Sequence, residues 1–401
     1  MWKTAGLADV CELIARGTAP KYTETGGILV LNQKCVRDHS IQFTQARRHN
    51  EQVKPTKPER LIREWDVLVN STGQGTLGRV AQVREHLQQD VTVDSHVTIL
   101  RPIQNLFYPP FFGYLMIALE PVFQKSGLGA GGQTELSAKR LKTEFSVSFP
   151  ESKDEQQRIV AKLDAAFAEI DRAIEQVNQQ LLESEALYKT SLTRCFSDDS
   201  VTRKPLSEIC KITSSKRVMK KDYVGNGVPF YRTKEIKQLA NGEPVTTELF
   251  ISKEMFDSLR HKFGAPKEGE ILITAIGTIG EVYIVRKDDE FYFKDGNVLW
   301  LREISEVSQD YLRYGLLSFV EQLNSLAHGA AYSALPIQRL KAFELPIPPI
   351  HQQLEIVKRL KESLELIAIF KNSLSSKRKS LDILKSAVLA QELQSPQSDA
   401  A

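Results

Sequence analysis

Apolar residues recur on alternating three- and four-residue steps along two stretches of the chain. In the first, Leu163, Phe167, Ile170, Ile174, Val177, Leu181 and Tyr188 keep this step, with Ser184 filling the polar gap. In the second, Ile367, Phe370, Leu374, Leu381, Leu384 and Val388 keep it, with Lys377 in the equivalent gap. This is the seam of a coiled coil, and each helix is expected to run about 40 residues, roughly 60 Å at ~1.5 Å per residue. A seam along one side of so long a helix must be covered. Pro150 and Pro346-Ile347-Pro348-Pro349 stand just before the helices, where a fixed φ and a missing N–H are harmless.

Outside the helices the pattern shortens to strands and turns. Gly269-Glu270-Ile271-Leu272-Ile273-Thr274 reads as a strand, Gly277-Thr278-Ile279-Gly280 as a turn and Val282-Tyr283-Ile284-Val285 as the returning strand. Residues 308–326 read as a helix, so the fold class is α+β.

The chain also repeats itself at a period of about 200 residues. Leu7-Ala8-Asp9-Val10-Cys11-Glu12-Leu13 matches Leu206-Ser207-Glu208-Ile209-Cys210-Lys211-Ile212, and Gly75-Thr76-Leu77-Gly78 matches Gly277-Thr278-Ile279-Gly280. Asp94-Ser95-His96-Val97 matches Asp295-Gly296-Asn297-Val298, and Arg140-Leu141-Lys142 matches Arg339-Leu340-Lys341. So long a period excludes a solenoid and predicts two similar domains related by a pseudo-twofold axis, with the helices packed as an antiparallel coiled coil. The expected division is 1–148 and 200–345 for the globular domains, 149–199 and 346–395 for the long helices, and 396–401 for a disordered tail. A helical linker with an unrelated C-terminal oligomerisation helix is the competing arrangement.

Charge sharpens the helix pairing. Residues 151–199 carry six basic and eleven acidic side chains, and 346–401 carry eight and six, so opposite signs favour mutual choice of the two helices. The net charge of +3 does not by itself indicate nucleic acid. Cys11, Cys35, Cys195 and Cys210 are isolated, which points to neither a metal site nor a disulfide framework and fits a reducing cytoplasm. The N-terminus lacks an apolar signal core, and the uncharged run 102–119 is broken by Pro109-Pro110, so no membrane span is expected.

Two motifs invite a catalytic reading. Gly73-Gln74-Gly75-Thr76-Leu77-Gly78 has the spacing of a dinucleotide-binding loop, but its repeat, Ala275-Ile276-Gly277-Thr278-Ile279-Gly280, lacks the first glycine and runs into a strand. The shared role is a tight turn. Tyr108-Pro109-Pro110-Phe111 resembles the Pro-Pro-aromatic core of adenine-N6 methyltransferases, with Tyr where Asn, Asp or Ser is usual and no counterpart in the second half. No phosphate-binding Gly-x-x-x-x-Gly-Lys-[Ser/Thr] occurs, and His39, His49 and His328 read as surface polar residues.

The two globular halves, each closed by Arg-Leu-Lys, a Pro-containing strand, a Gln-rich helix start and a heptad helix, resemble the specificity subunit of a Type I restriction-modification system. Gln156-Gln157-Arg158-Ile159-Val160-Ala161-Lys162-Leu163 and Pro348-Pro349-Ile350-His351-Gln352-Gln353-Leu354 resemble that family's two conserved regions, and the Gly-Thr-x-Gly turns those of its target-recognition domains. The resemblance implies a non-catalytic subunit whose two domains each read one half of a bipartite, gapped double-stranded DNA site while the helices fix the gap. It implies modification subunits that carry S-adenosylmethionine, and restriction subunits that translocate and cut DNA with ATP and Mg. No metal or cofactor is expected in this chain.

Base reading needs donors and acceptors on polar loops, and phosphate contacts need Lys and Arg. The candidates are Lys21, Tyr22, Lys34, Arg37, Arg47, Arg48 and Asn50 in the first half, and Lys216, Arg217, Lys220, Lys221, Tyr231, Arg232 and Lys234 in the second. The rivals are a self-contained adenine-N6 DNA methyltransferase, which would methylate DNA without a partner, and a coiled-coil adaptor that never touches DNA.

Overall fold

The computed structural model describes residues 1–126, 135–198, 200–326 and 334–394, with 322–326 described by backbone alone. His328 and the 396–401 tail lie outside the described residues. The chain divides into two compact units, Met1–Gln176 with Lys377–Ala401, and Val177–Ser376.

In the first unit, an antiparallel sheet runs in the order Cys11–Arg16, Val97–Pro102, Val67–Asn70, Val80–Gln82. Its two inner strands are buried on both faces, and the two-residue period of a strand divides their side chains between two cores. Val67, Val69 and Leu100 pack with Phe111, Phe112 and Met116 of the helix Pro109–Ser126. Leu68, Ala81 and Ile99 pack toward a second sheet with Leu31, Val91 and Val93. That second sheet pairs Val91–Val93 parallel to Ile28–Leu31, followed antiparallel by Arg47–His49 and then Tyr22–Thr23.

The second unit repeats both sheets. Lys211–Thr213, Val298–Arg302, Ile271–Thr274 and Val282–Ile284 form the first, and Tyr292–Phe293, Val228–Tyr231, Phe250–Ile251 and Tyr223–Val224 the second, again with one parallel pair. Ile271, Ile273 and Leu301 face the helix Gln309–Leu326, and Leu272 and Trp300 face the other way with Ile236 and Phe293. The difference lies in the connecting segments. Here the second unit adds the helices Thr233–Ala240 and Lys253–Phe263, the latter capped by Ser252 Oγ accepting from Met255 N at 3.2 Å and ended by Gly264 at φ 88°. The first unit has instead a hairpin of Val36–Arg37 with Ser40–Ile41 and two short 3-10 turns.

The central helix is Lys153–Arg194 and the C-terminal helix Ile350–Glu392, 42 and 43 residues long. Within the first unit, Lys162 meets Glu392 at 3.4 Å and Asp171 meets Lys385 at 2.7 Å; within the second, Glu185 meets Lys371 at 3.4 Å. Partner numbers fall as central-helix numbers rise, so the helices pack as an antiparallel coiled coil, and two of the three bridges join an acidic central residue to a basic C-terminal one.

On the central helix, Leu163, Phe167, Ile170 and Val177 are buried and Ile174, Leu181 and Tyr188 half-buried, while Ser184 is buried with its hydroxyl bonded to Leu181 O at 2.7 Å. On the C-terminal helix, Ile367 and Leu374 are buried and Leu381 and Val388 half-buried, but Phe370 and Leu384 are 48% and 47% exposed. The covered stripe passes one residue later, through Lys371, Arg378 and Lys385. Long basic side chains suit such half-covered positions, having an apolar stem and a charged end, and the charged ends meet Glu185, Asp382 and Asp171. The Lys385 ammonium lies 4.9 Å from the Phe167 ring centre and also bonds Asp171.

Each long helix is tied to its globular half by one fully buried glutamine. Gln156 Oε1 accepts from Tyr108 N at 2.7 Å and its Nε2 donates to Pro150 O at 2.8 Å. Gln353 Oε1 accepts from Ser308 N at 2.9 Å and its Nε2 donates to Pro348 O and Glu306 O, both at 2.9 Å. Each amide spends both its oxygen and its nitrogen on backbone groups of the globular half or of the segment leading into the helix, which makes the residue a structural clamp in each repeat.

Candidate nucleic-acid interface

The Gly-Thr-x-Gly turns join equivalent strands and face equivalent helices. Gly78 N donates to Asn70 O at 2.8 Å, and Gly280 N to Thr274 O at 2.9 Å. Both glycines hold positive φ, 80° and 91°. A Cβ on Gly78 would come within 2.6 Å of Gln124 N, and one on Gly280 within 2.4 Å of the Val320 side chain. Glycine is required for this close approach of helix and turn, and the Gly-x-Gly-x-x-Gly spacing in the first half is a turn leading to the strand Val80–Gln82.

The first-half candidates fall into two groups. Lys21, Tyr22, Arg47, Arg48 and Asn50 lie on or next to the adjacent strands Arg47–His49 and Tyr22–Thr23 of the second sheet. Arg47 stacks on the exposed Tyr22 ring with its guanidinium carbon 3.4 Å from the ring centre, Arg48 donates to Gly27 O at 3.2 Å, and Asn50 Oδ1 accepts from Gln52 N at 3.0 Å. Lys34 and Arg37 instead line a polar cavity of about 590 Å³ together with Thr76 and Arg79, beside the glycine turn. Arg37 sits 3.5 Å from Asp38.

In the second half, Arg217 pairs with Asp295 at 3.0 Å and the Lys216 ammonium lies 5.3 Å from the Phe263 ring centre. Lys220 and Lys221 are exposed on a 3-10 turn. Tyr231 stacks half-buried on Phe291 at 4.7 Å, with burial pushing its hydroxyl pKa up. Arg232 is held by the buried Glu235, its N 2.8 Å and Nη2 3.1 Å from the carboxylate. Lys234 is exposed on the first turn of Thr233–Ala240. Arg217 and Arg232 each therefore have a carboxylate partner within the protein.

Of the histidines, His39 lies at the surface, 3.4 Å from Glu120. His49 does not: it is 1% exposed, its Nδ1 accepting from Lys21 N at 2.8 Å and its Nε2 lying 2.7 Å from Lys54 O, so the ring pins the start of Tyr22–Thr23 to the loop that follows Arg47–His49. Three residues about the turns escaped sequence reasoning. Thr76 Oγ1 donates to Gln33 Oε1 at 2.8 Å, and Thr233 Oγ1 to Ile276 O at 3.0 Å, so Gln33 and Thr233, each two residues past the parallel strand, tie the second sheet to the glycine turn. Arg79 folds back to Gly75 O at 2.8 Å. An uncharged tether between segments over 40 residues apart leaves no local pattern.

Tyr108-Pro109-Pro110-Phe111 starts the helix Pro109–Ser126. Phe111 and Phe112 are fully buried and Tyr108 N is committed to Gln156, so the motif builds core and clamp. All four cysteines are free, and burial pushes the Cys11 and Cys210 thiols up to about 12.

Residues 1–183 and 199–376 match the family described as Type I restriction modification DNA specificity domain. Among curated relatives, a putative type I restriction enzyme MjaX specificity subunit of Methanocaldococcus jannaschii is 22% identical over 92% of this chain and 88% of its own length. A putative type I restriction enzyme specificity subunit of Haemophilus influenzae is 28% identical over 38% of this chain and 37% of its own length. The EcoBI specificity subunit of Escherichia coli is 32% identical over 28% and 24%. The matched segments thus span less than half of the last two relatives.

Two solved structures share the fold. A chain from a structure described as the basis of complex assembly and conformational transition of the type I R-M system superposes with a TM-score of 0.74 at 17% identity, over 98% of this chain and 97% of that one. The HsdS subunit from Thermoanaerobacter tengcongensis superposes at 0.54 and 18%, over 98% and 96%.

Proposed function

The chain belongs to the Type I restriction modification DNA specificity domain family, and on that premise we propose that each of its two globular halves reads one half of a bipartite, gapped DNA site. The supporting observation is a two-sheet frame built twice with different segments between its equivalent strands. A frame common to both halves suits a common task, docking on duplex DNA; differing segments suit two different half-sites. Residues 1–148 and 200–345 are the target-recognition domains in this reading, and the helices of 149–199 and 346–395 set the gap. The fourteen candidates Lys21 to Asn50 and Lys216 to Lys234 supply contacts to phosphates and bases.

The chain carries no chemistry of its own in this reading. It works in the cytoplasm with modification subunits, which supply S-adenosylmethionine and methylate adenine, and with restriction subunits, which use ATP and Mg. The C-terminal helix offers apolar residues away from its seam, Leu366, Ile369 and Phe370 at 68%, 59% and 48% exposure, and these suit docking of a partner subunit. The test is methylome sequencing of a host with and without this gene. One gapped methylated motif should disappear with the gene, and an unchanged methylome contradicts the proposal.

A further inference from the structure

Contacts that hold any DNA and contacts that choose a sequence occupy different places in the two halves, an inference that rests on the proposed function. Leu31 and Tyr231 end equivalent parallel strands: Leu31 is paired with Val93 and Tyr231 with Phe293, and their carbonyls accept from Asp94 N at 2.9 Å and Lys294 N at 2.8 Å. Two residues later, Gln33 and Thr233 bind the glycine turn, as described above. The next residue is Lys34 in one half and Lys234 in the other. Both are exposed, and among the described residues neither has a carboxylate partner.

The other candidates do not coincide. Tyr22 pairs with His49 and Tyr223 with Ile251, which sets Arg48 against Phe250 and Lys21 against Asp222. Arg217 and Arg232 are held by Asp295 and Glu235. Beside each lysine the turn presents a glycine without a side chain, Gly75 at φ 71° with nothing within 4 Å of a built Cβ and Gly277 at φ 81° with only Thr233 Cγ2 at 3.9 Å. A large anionic surface can therefore approach the backbone at the same place in both halves.

Phosphates are spaced alike in every sequence, whereas base edges differ. A cation kept at one place in two domains that read different half-sites must serve what the half-sites share. We infer that Lys34 and Lys234 are equivalent phosphate anchors, each fixed beside its Gly-Thr-x-Gly turn, and that sequence choice lies with groups that have no counterpart, Arg47 and Arg48 in the first half and the helix Lys253–Phe263 in the second.

The test uses the complex of the full chain with its modification subunits and a randomised duplex library, with Lys34→Ala, Lys234→Ala and the double variant. Losing one phosphate contact should weaken binding about fivefold at ~0.15 M salt and make the plot of log affinity against log salt shallower by about 0.9, doubled in the double variant. The sequence motif recovered from the bound library should stay unchanged. An unaltered salt slope, or a motif relaxed in one half-site, overturns the assignment of these lysines while leaving the proposed function standing. A wild-type complex that retains no sequence-selected DNA overturns both.

Discussion

Where the chain enters the inner strand of the first sheet, one half uses Trp65 and the other Gly269. Both sit in the left-handed region, at φ 72° and 83°, and both donate their N–H to an equivalent carbonyl, Val83 O at 2.7 Å and Val285 O at 2.9 Å. A tryptophan in that region costs on the order of 1–3 kcal/mol that glycine does not. The next position diverges as well. Asp66 holds the buried Arg101 through two bonds of 2.8 and 2.7 Å, whereas Glu270 accepts from Trp300 Nε1 at 2.8 Å and Arg302 lies over the Trp300 ring at 4.3 Å. The two halves keep one backbone path and fill it with different chemistry, so the path is the part that duplication fixed and the side chains are the part free to change.

The largest contrast to test lies there. Asp66→Ala takes the bidentate carboxylate from a buried guanidinium, leaving only Glu12 at 4.0 Å, and should destabilise the first unit by about 3–5 kcal/mol, while Glu270→Ala removes the partner of two neutral donors, Trp300 Nε1 and Lys267 N, at about 1–2 kcal/mol. Urea unfolding followed by probes in each unit measures both, and equal losses would break the contrast.

The seam gives the next. Leu374→Ala should cost about 2–5 kcal/mol and Phe370→Ala under about 0.5 kcal/mol. The reverse order would restore the stripe through Phe370 and Leu384 that the sequence suggested.

The turns are closer in effect. Gly78→Ala pushes a methyl against backbone at Gln124 and should cost about 2–3 kcal/mol, whereas Gly280→Ala meets a side chain that can rotate and should cost about 1–2 kcal/mol, both read from thermal unfolding. Smallest is the likeness of the equivalent thiols. With Cys11 and Cys210 both pushed up to about 12 by burial, neither should alkylate measurably in the native state at about pH 8 while the less buried Cys195 does.

The sequence reading reached the long helices, the duplication and the turns because each has a local or repeated signature. It placed the hairpin around Gly277–Gly280 where Ile271–Thr274 pairs with Val282–Ile284. It missed the C-terminal stripe through Lys371, Arg378 and Lys385 because a seam lysine reads as surface until, as at Lys385, its ammonium is seen over the Phe167 ring. The second sheets were not separable from loops, since strands of two to four residues such as Tyr22–Thr23 carry no period. Among the interface candidates, basic clusters were legible but their state was not: the acid that holds Arg217 and the carbonyl that holds Arg48 come from positions 78 and 21 residues away.

The central claim, that each half reads its own half-site on a shared frame, is tested most directly by replacing residues 200–345 with a second copy of 1–148 and sequencing the methylome of a host that carries the altered chain with its modification subunits. The account predicts a palindromic gapped motif, both arms matching one arm of the natural motif at an unchanged spacing. Retention of the natural two-armed motif would contradict it.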